Sequence, residues 1–288
     1  MKYNKLNYLL AGCLFFMASL VLNSCTKEAE ITKEDPQSAI MNEDLPNIDV
    51  PTTVSGRTDC DGVDVHWSYH GDVAPAFWPD LCPEWDCDGK RQSPINIIPP
   101  RIRRKSVSLK FFWEDVPTKI LNNGHTIEFE YEHGSSLWLN GRKYNLLQFH
   151  FHMGSEHTVK GKRFPAEIHF VSQNELTGKL VVIAVFVEEG AENDFFARFI
   201  EHFPHEEGEF ESEEHLNASE LLPSNTKHFW HYTGSLTTPP CSEIAKWVIM
   251  IKTVEASAEQ LAEMRTLEVF DDNYRPTQSK GSRLVRAQ

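Results

Sequence analysis

The chain has 288 residues, six cysteines and a formal net charge of −14. That length suits one large domain or two modest ones of ~100–200 residues each, and seven Trp with eighteen Phe supply the bulk of a sizeable core. The acidic excess excludes a nucleic-acid binder, which needs a basic face for phosphates, and a 40% hydrophobic content excludes a chain disordered throughout.

The N-terminus reads as an address. Lys2 and Lys5 precede an uncharged apolar run, Leu9 to Leu22. The run is shorter than the ~20 residues of a spanning helix, so residues 1–24 are expected to be an export signal. It stops at Leu22-Asn23-Ser24-Cys25, which resembles a bacterial lipobox, with Cys25 as the lipidated residue. The expectation is an exported protein, lipid-anchored to the bacterial membrane, either periplasmic or on the outer membrane. Residues 25–59 are polar and acidic, carry Pro36, Pro46 and Pro51, and read as a flexible tether. Residues 60–288 read as a single domain. Cys13 leaves with the signal. Cys60, Cys82, Cys87 and Cys241 remain, and in an oxidising compartment they can form two disulfides in any of three connectivities.

Short β-like runs broken by turn residues follow. The clearest are Ser106–Phe112, Thr126–Tyr131, Ser136–Leu139, Lys143–Phe151, Ala166–Ser172, Leu180–Val187 and Trp247–Ile251. Asn140-Gly141 is a hairpin signal, and Asn123-Gly124 a turn signal. Helices are few. Asp194–Phe203 puts five apolar side chains on one face. Ser257 with Gln260 is a capping box ahead of Leu261, Met264 and Leu267. The acidic run Glu206–Glu214 reads as a solvated loop. Asn217-Ala218-Ser219 matches a glycosylation sequon, taken as chance in a bacterial lipoprotein. The domain is therefore mainly β (α+β).

Thirteen histidines are present, and three are placed in a telling way. His150 and His152 lie two apart on one strand and so share a face. His169 lies on the next strand, which can pair with the first. Three neutral imidazoles suit zinc, and three protein ligands leave a fourth position open for water or substrate. Gln148 and Glu167 each stand two residues before a candidate ligand, on the same face, where they can accept the second ring N–H.

At this point the sequence resembles the α-class carbonic anhydrases. The resemblance runs from about Asp59 to the C-terminus. It is carried by His66-Trp67-Ser68-Tyr69, Gln92-Ser93-Pro94-Ile95-Asn96-Ile97, Asn122-Asn123-Gly124-His125 and Gln148-Phe149-His150-Phe151-His152. It continues through Gly154-Ser155-Glu156-His157-Thr158, Ala166-Glu167-Ile168-His169, the run Gly234 to Glu243, and Asn273-Tyr274-Arg275-Pro276. It implies one domain around a large, twisted, mostly antiparallel sheet with a few peripheral helices. It implies a zinc enzyme interconverting CO2 and bicarbonate by attack of zinc-bound hydroxide.

The resemblance also implies roles. His150, His152 and His169 are the expected zinc ligands. Thr237 is expected to link the hydroxide to Glu156 and to hold bicarbonate through its backbone N–H, with Thr238 lining the product side. His125 is the expected proton shuttle, with Tyr69 and Asn123 ordering water on its path. Val171, Val182, Leu236 and Trp247 are expected to form the CO2 pocket. Cys87 and Cys241 correspond to the disulfide of secreted members, which leaves Cys60 and Cys82 for a second bridge. His157 is read as a structural hydrogen-bonding residue. Two departures stand out: Met153 follows the second ligand where animal members often carry Trp, and Glu128 occupies a cleft position often filled by Asn or Gln. A noncatalytic binding module of the same family is the main competing reading, but all three ligands, Thr237 and Glu156 are retained.

Overall fold

The structure is a computed structural model. It describes residues 57–288 except 101–106 and 132–133. The export signal, Cys25 and nearly all of the tether lie outside the described residues, as does Ser106.

The elements in chain order begin with β1 (Arg57–Cys60), β2 (Val63–His66), α1 (Trp78–Leu81), β3 (Asn96–Ile97), β4 (Leu109–Phe112) and β5 (Val116–Asn122). Next come β6 (Ile127–Glu130), β7 (Ser136–Leu139), β8 (Arg142–Met153), β9 (Thr158–Val159), β10 (Ala166–Gln173) and β11 (Leu180–Glu189). The chain closes with α2 (Asp194–Phe199), β12 (Gly208–Leu216), β13 (Phe229–Gly234), β14 (Ala245–Met250), β15 (Val254–Ala256), α3 (Ala258–Met264) and β16 (Arg286–Ala287).

Twelve of these strands form one sheet. Its main path runs β12-β5-β6-β8-β10-β11-β14-β13-β16, with β4 and β7 joined beside β8 and β15 beside β11. The pairings are antiparallel except those of β11 with β14 and β15. The fold is thus a mixed, mostly antiparallel sheet with a few peripheral helices.

Both faces of the central strands are covered, so these strands read as nearly continuous apolar runs. One face carries Phe149, Phe151, Ile168, Phe170, Ile183, Val185 and Val248, packed beneath Phe195, Phe196 and Phe199 of α2. The helix forms there because Asn193 caps it, accepting from the backbone N–H groups of Phe195 and Phe196. The apolar face then continues into a short 3-10 turn, Ile200–His202, so the expected helix over 194–203 is α-helical only as far as Phe199. The capping box at Ser257 and Gln260 forms, with both reciprocal bonds made.

The acidic run corrects the sequence reading. Gly208–Leu216 is not a loop but the strand β12, paired along β5 at the edge of the sheet. Phe210 turns partly inward against the core, while most of the glutamates face solvent. Lys119 on β5 offsets part of their repulsion, standing 2.8 Å from Glu130, 3.7 Å from Glu209 and 4.0 Å from Glu211. A charged edge of this kind resists pairing with other chains.

Two disulfides form: Cys60–Cys82 closes the N-terminal part on itself, and Cys87–Cys241 ties it to the segment between β13 and β14.

Candidate metal centre and active site

The register of β8 with β10 sets His150 opposite His169, His152 opposite Glu167 and Gln148 opposite Val171. Directly opposed residues share a face, so two strands deliver three imidazoles and two of their acceptors to one side of the sheet. One nitrogen from each histidine converges, all within 4.8 Å of one another.

The remaining ring nitrogens are engaged. His150 Nδ1 lies 2.8 Å from Gln148 Oε1, His152 Nδ1 lies 2.6 Å from the Asn273 carbonyl, and His169 Nε2 lies 2.8 Å from Glu167 Oε1. The three acceptors leave Nε2, Nε2 and Nδ1 as the lone pairs facing inward. His152 Nε2 is buried there without a hydrogen-bond partner, an arrangement a protein interior rarely tolerates unless a ligand completes it. Burial lowers the pKa of His150 well below the ordinary value, with His152 and His169 adding to the effect. Burial lowers that of His152 too, against the pull of Glu156. Both rings are therefore neutral near pH 7, which is the form that binds a metal. The donor set fits zinc: three neutral nitrogens with an open side.

His157, Glu167 and His169 also lie close together, but both His157 nitrogens are occupied. Its Nδ1 is 2.7 Å from Glu167 Oε1 and its Nε2 is 2.7 Å from Tyr232 Oη. Glu167 carries its charge in full burial. Desolvation works against the anion, but His157 and His169 outweigh it and hold the carboxyl well below the usual range.

Glu156 stands behind the converging nitrogens. Its Oε1 accepts from the Arg275 backbone N–H at 2.8 Å. Its Oε2 has no hydrogen-bond partner and lies 3.6 Å from His152 Nε2 and 3.9 Å from His169 Nδ1. Thr237 and Thr238 are both buried in the loop that joins β13 to β14. The Cys87–Cys241 disulfide ties that loop down. So do Gln92 Nε2, donating to the Cys241 carbonyl, and Trp247 Nε1, donating to the Ser235 carbonyl. Gly234 is required at its start, because a Cβ there would collide with Ser93 Oγ. Arg275, almost fully buried, donates to Gln92 Oε1 and to the carbonyls of Ser93 and Cys87.

Val171, Val182 and Trp247 form one row across β10, β11 and β14. With Leu236 they belong to the second apolar cluster, on the histidine side of the sheet. His125 is buried and stacks on Trp67, ring centroids 3.8 Å apart, with Tyr69 at 6.5 Å. Asn123 Oδ1 accepts from the backbone N–H groups of His125 and Thr126, so the side chain caps its own turn. Packing around the Tyr69 hydroxyl raises its pKa well above the ordinary value, and Glu156 raises it further. Glu128 is fully buried and accepts from Gln148 Nε2 at 3.0 Å, which puts it behind Gln148.

Asn273 opens the motif Asn273-Tyr274-Arg275-Pro276, but its task is visible only in the structure. Its carbonyl orients His152, and its side chain ties Met153 N, Phe151 O and His125 O together. No spacing rule could have found it, since it lies 121 residues from His152.

The fold and site define a sheet-based protein with a three-histidine zinc-type centre beside an apolar wall. Residues 73–288 match the family described as eukaryotic-type carbonic anhydrase. The carbonic anhydrase of Neisseria gonorrhoeae is 38% identical over 227 residues, covering 78% of this chain and 88% of its own. That of Pectobacterium carotovorum is 37% identical over 223 residues, covering 77% and 90%. Among solved structures, the α-carbonic anhydrase from Thermovibrio ammonificans in complex with the inhibitor sulfanilamide superposes with a TM-score of 0.74 at 37% identity. That match covers 77% of this chain and 99% of the other. A hyperthermostable carbonic anhydrase from an active hydrothermal vent chimney gives 0.73 at 39% identity, covering 77% and 100%. The chain belongs to the α-class carbonic anhydrase family of enzymes.

Proposed function

We propose that the protein catalyses the reversible hydration of CO2 to bicarbonate and a proton, with zinc held by His150, His152 and His169. The observation that carries this reading is the convergence of three buried nitrogens, one of them unpartnered, beside the unpartnered Glu156 Oε2. Zinc in such a site supplies a nucleophile at neutral pH by lowering the pKa of water to about 7, an effect for which carbonic anhydrase is itself the reference case.

The chain's own residues do the rest. Gln148, Glu167 and the Asn273 carbonyl fix the tautomers of the three rings. Glu156 Oε2, left without a hydrogen-bond partner, is the acceptor to which the Thr237 hydroxyl would donate, and the Thr237 oxygen would then be left to accept from the attacking O–H. The Thr237 backbone N–H and Thr238 hold the product carboxylate. Val171, Val182, Leu236 and Trp247 give apolar CO2 a dry wall. His125 takes the released proton on its ring and passes it to buffer, with Tyr69 and Asn123 beside the water path. The protein acts as an exported lipoprotein held to the membrane through Cys25, a reading supported by the apolar run that ends at that residue.

Stopped-flow CO2 hydration together with zinc analysis on the full chain tests the activity. One zinc per chain with rapid hydration is expected, and stoichiometric zinc without hydration rejects it. Incorporation of labelled palmitate, lost in Cys25→Ser, tests the anchor.

A further inference from the structure

Glu128 is a buried carboxylate to which the proposed chemistry gives no task. On β6 it faces His150 of β8 across the antiparallel ladder, and its Oε2 accepts from Gln148 Nε2 at 3.0 Å. Gln148 Oε1 in turn lies 2.8 Å from His150 Nδ1. The three side chains form a line from carboxylate to amide to imidazole.

The middle member is the weak point of that line. A glutamine amide fills the same shape in two orientations. With Oε1 toward His150, the ring carries its proton on Nδ1 and presents the Nε2 lone pair. With Nε2 toward His150, the ring is driven to the opposite tautomer and its Nε2 is blocked by a proton. The other two ligands face no such ambiguity, because His169 meets a carboxylate and His152 a backbone carbonyl, and neither can donate. An ionised carboxylate accepts and does not donate, so in that form Glu128, paired with Gln148 Nε2, admits only the amide orientation that the site needs.

We propose that Glu128 is a positioning residue: through Gln148 it locks His150 in the Nδ1–H tautomer that leaves Nε2 free for metal. This rests on reading the three histidines as a zinc site. A buried carboxylate is costly, and the gain here is a ligand set fixed before metal arrives.

The test uses the full chain. Nitrogen-15 NMR of the zinc-free protein at pH 7 reads the tautomer of neutral His150 directly. Wild type should show Nδ1–H alone, and Glu128→Gln, which can both donate and accept, should show a mixture. Zinc loss to a chelator should be about tenfold faster in Glu128→Gln, in the range for partners behind a ligand. Gln148→Ala should show a similar increase, and the double variant should lose zinc no faster than Gln148→Ala. The exchanged pair Glu128→Gln with Gln148→Glu, which sets a carboxylate directly on His150, should restore the single tautomer and the slow loss. An unchanged tautomer in Glu128→Gln, multiplying effects in the double variant, or an exchanged pair no better than Glu128→Gln would overturn the proposal. A wild-type chain that takes up no zinc rejects the metal site, and the tautomer comparison still stands as a separate result.

Discussion

The two ring nitrogens of His152 have opposite fates, and the site depends on that asymmetry. Nδ1 is spent on the Asn273 carbonyl, while Nε2 is held in the interior with no hydrogen-bond partner. His150 and His169 repeat the division with other acceptors. His157, close by and equally buried, is satisfied at both nitrogens and so remains part of the scaffold. At the same scale, His125 stacks flat against Trp67. If it carries protons, His125→Ala should slow turnover in weak buffer by about 10²-fold, the lower end for general acid–base groups. Added imidazole should restore the rate. Stopped-flow rates across a buffer series check this, and a variant as fast as wild type in dilute buffer would place the shuttle elsewhere.

The loop between β13 and β14 shows how elements share one task. Its position is set by a glycine whose lack of Cβ lets Ser93 approach, by a buried arginine bonded to the 87–93 segment, and by the Cys87–Cys241 bridge. That bridge spans a sequence separation of 154, against 22 for Cys60–Cys82. On loop-entropy grounds they contribute about 5 and about 3 kcal/mol respectively. Removing the longer link as Cys87→Ser with Cys241→Ser should lower the thermal midpoint more than removing the shorter one. It should also reduce hydration activity, because Thr237 and Thr238 ride on the tethered loop. Calorimetry and activity measured on the two double variants separate these effects. Element boundaries were legible where local chemistry decides them, as at the Ser257–Gln260 box or the strand Ser136–Leu139. They were hidden at β12, whose glutamates suit an edge strand as well as they suit a loop, and at β5, where Pro117 and Lys119 interrupt the pattern.

Across the whole molecule the net charge of −14 has little bearing on a neutral substrate. The specificity constant for CO2 should therefore be nearly flat between low and moderate ionic strength, because steering acts on charged ligands. Stability should respond to pH through buried histidine outside the site. His231 is pushed down to about 4, first by burial and then by Lys246 and Arg286. The unfolded chain takes up that proton near 6.5 and the folded chain only near 4. This contribution is complete above about 6.5 and is lost as pH falls toward about 4. The thermal midpoint of wild type should drop across that window more steeply than that of His231→Gln, as read by calorimetry at a series of pH values.

The sequence alone determined the chemistry on offer. Alternation on a strand put His150 and His152 on one face, and the two-residue spacing put Gln148 and Glu167 where they could accept from His150 and His169, because both follow from the strand period. It also determined that the domain is mainly β, since short apolar runs and turn residues act locally. Only the tertiary structure decided which partner completes His152 and what stands behind Gln148, because those partners come from distant segments. Asn273 reaches His152 from 121 residues away. Glu128 reaches Gln148 only through the pairing of β6 with β8. Such contacts depend on register and on chain closure, which no local pattern encodes.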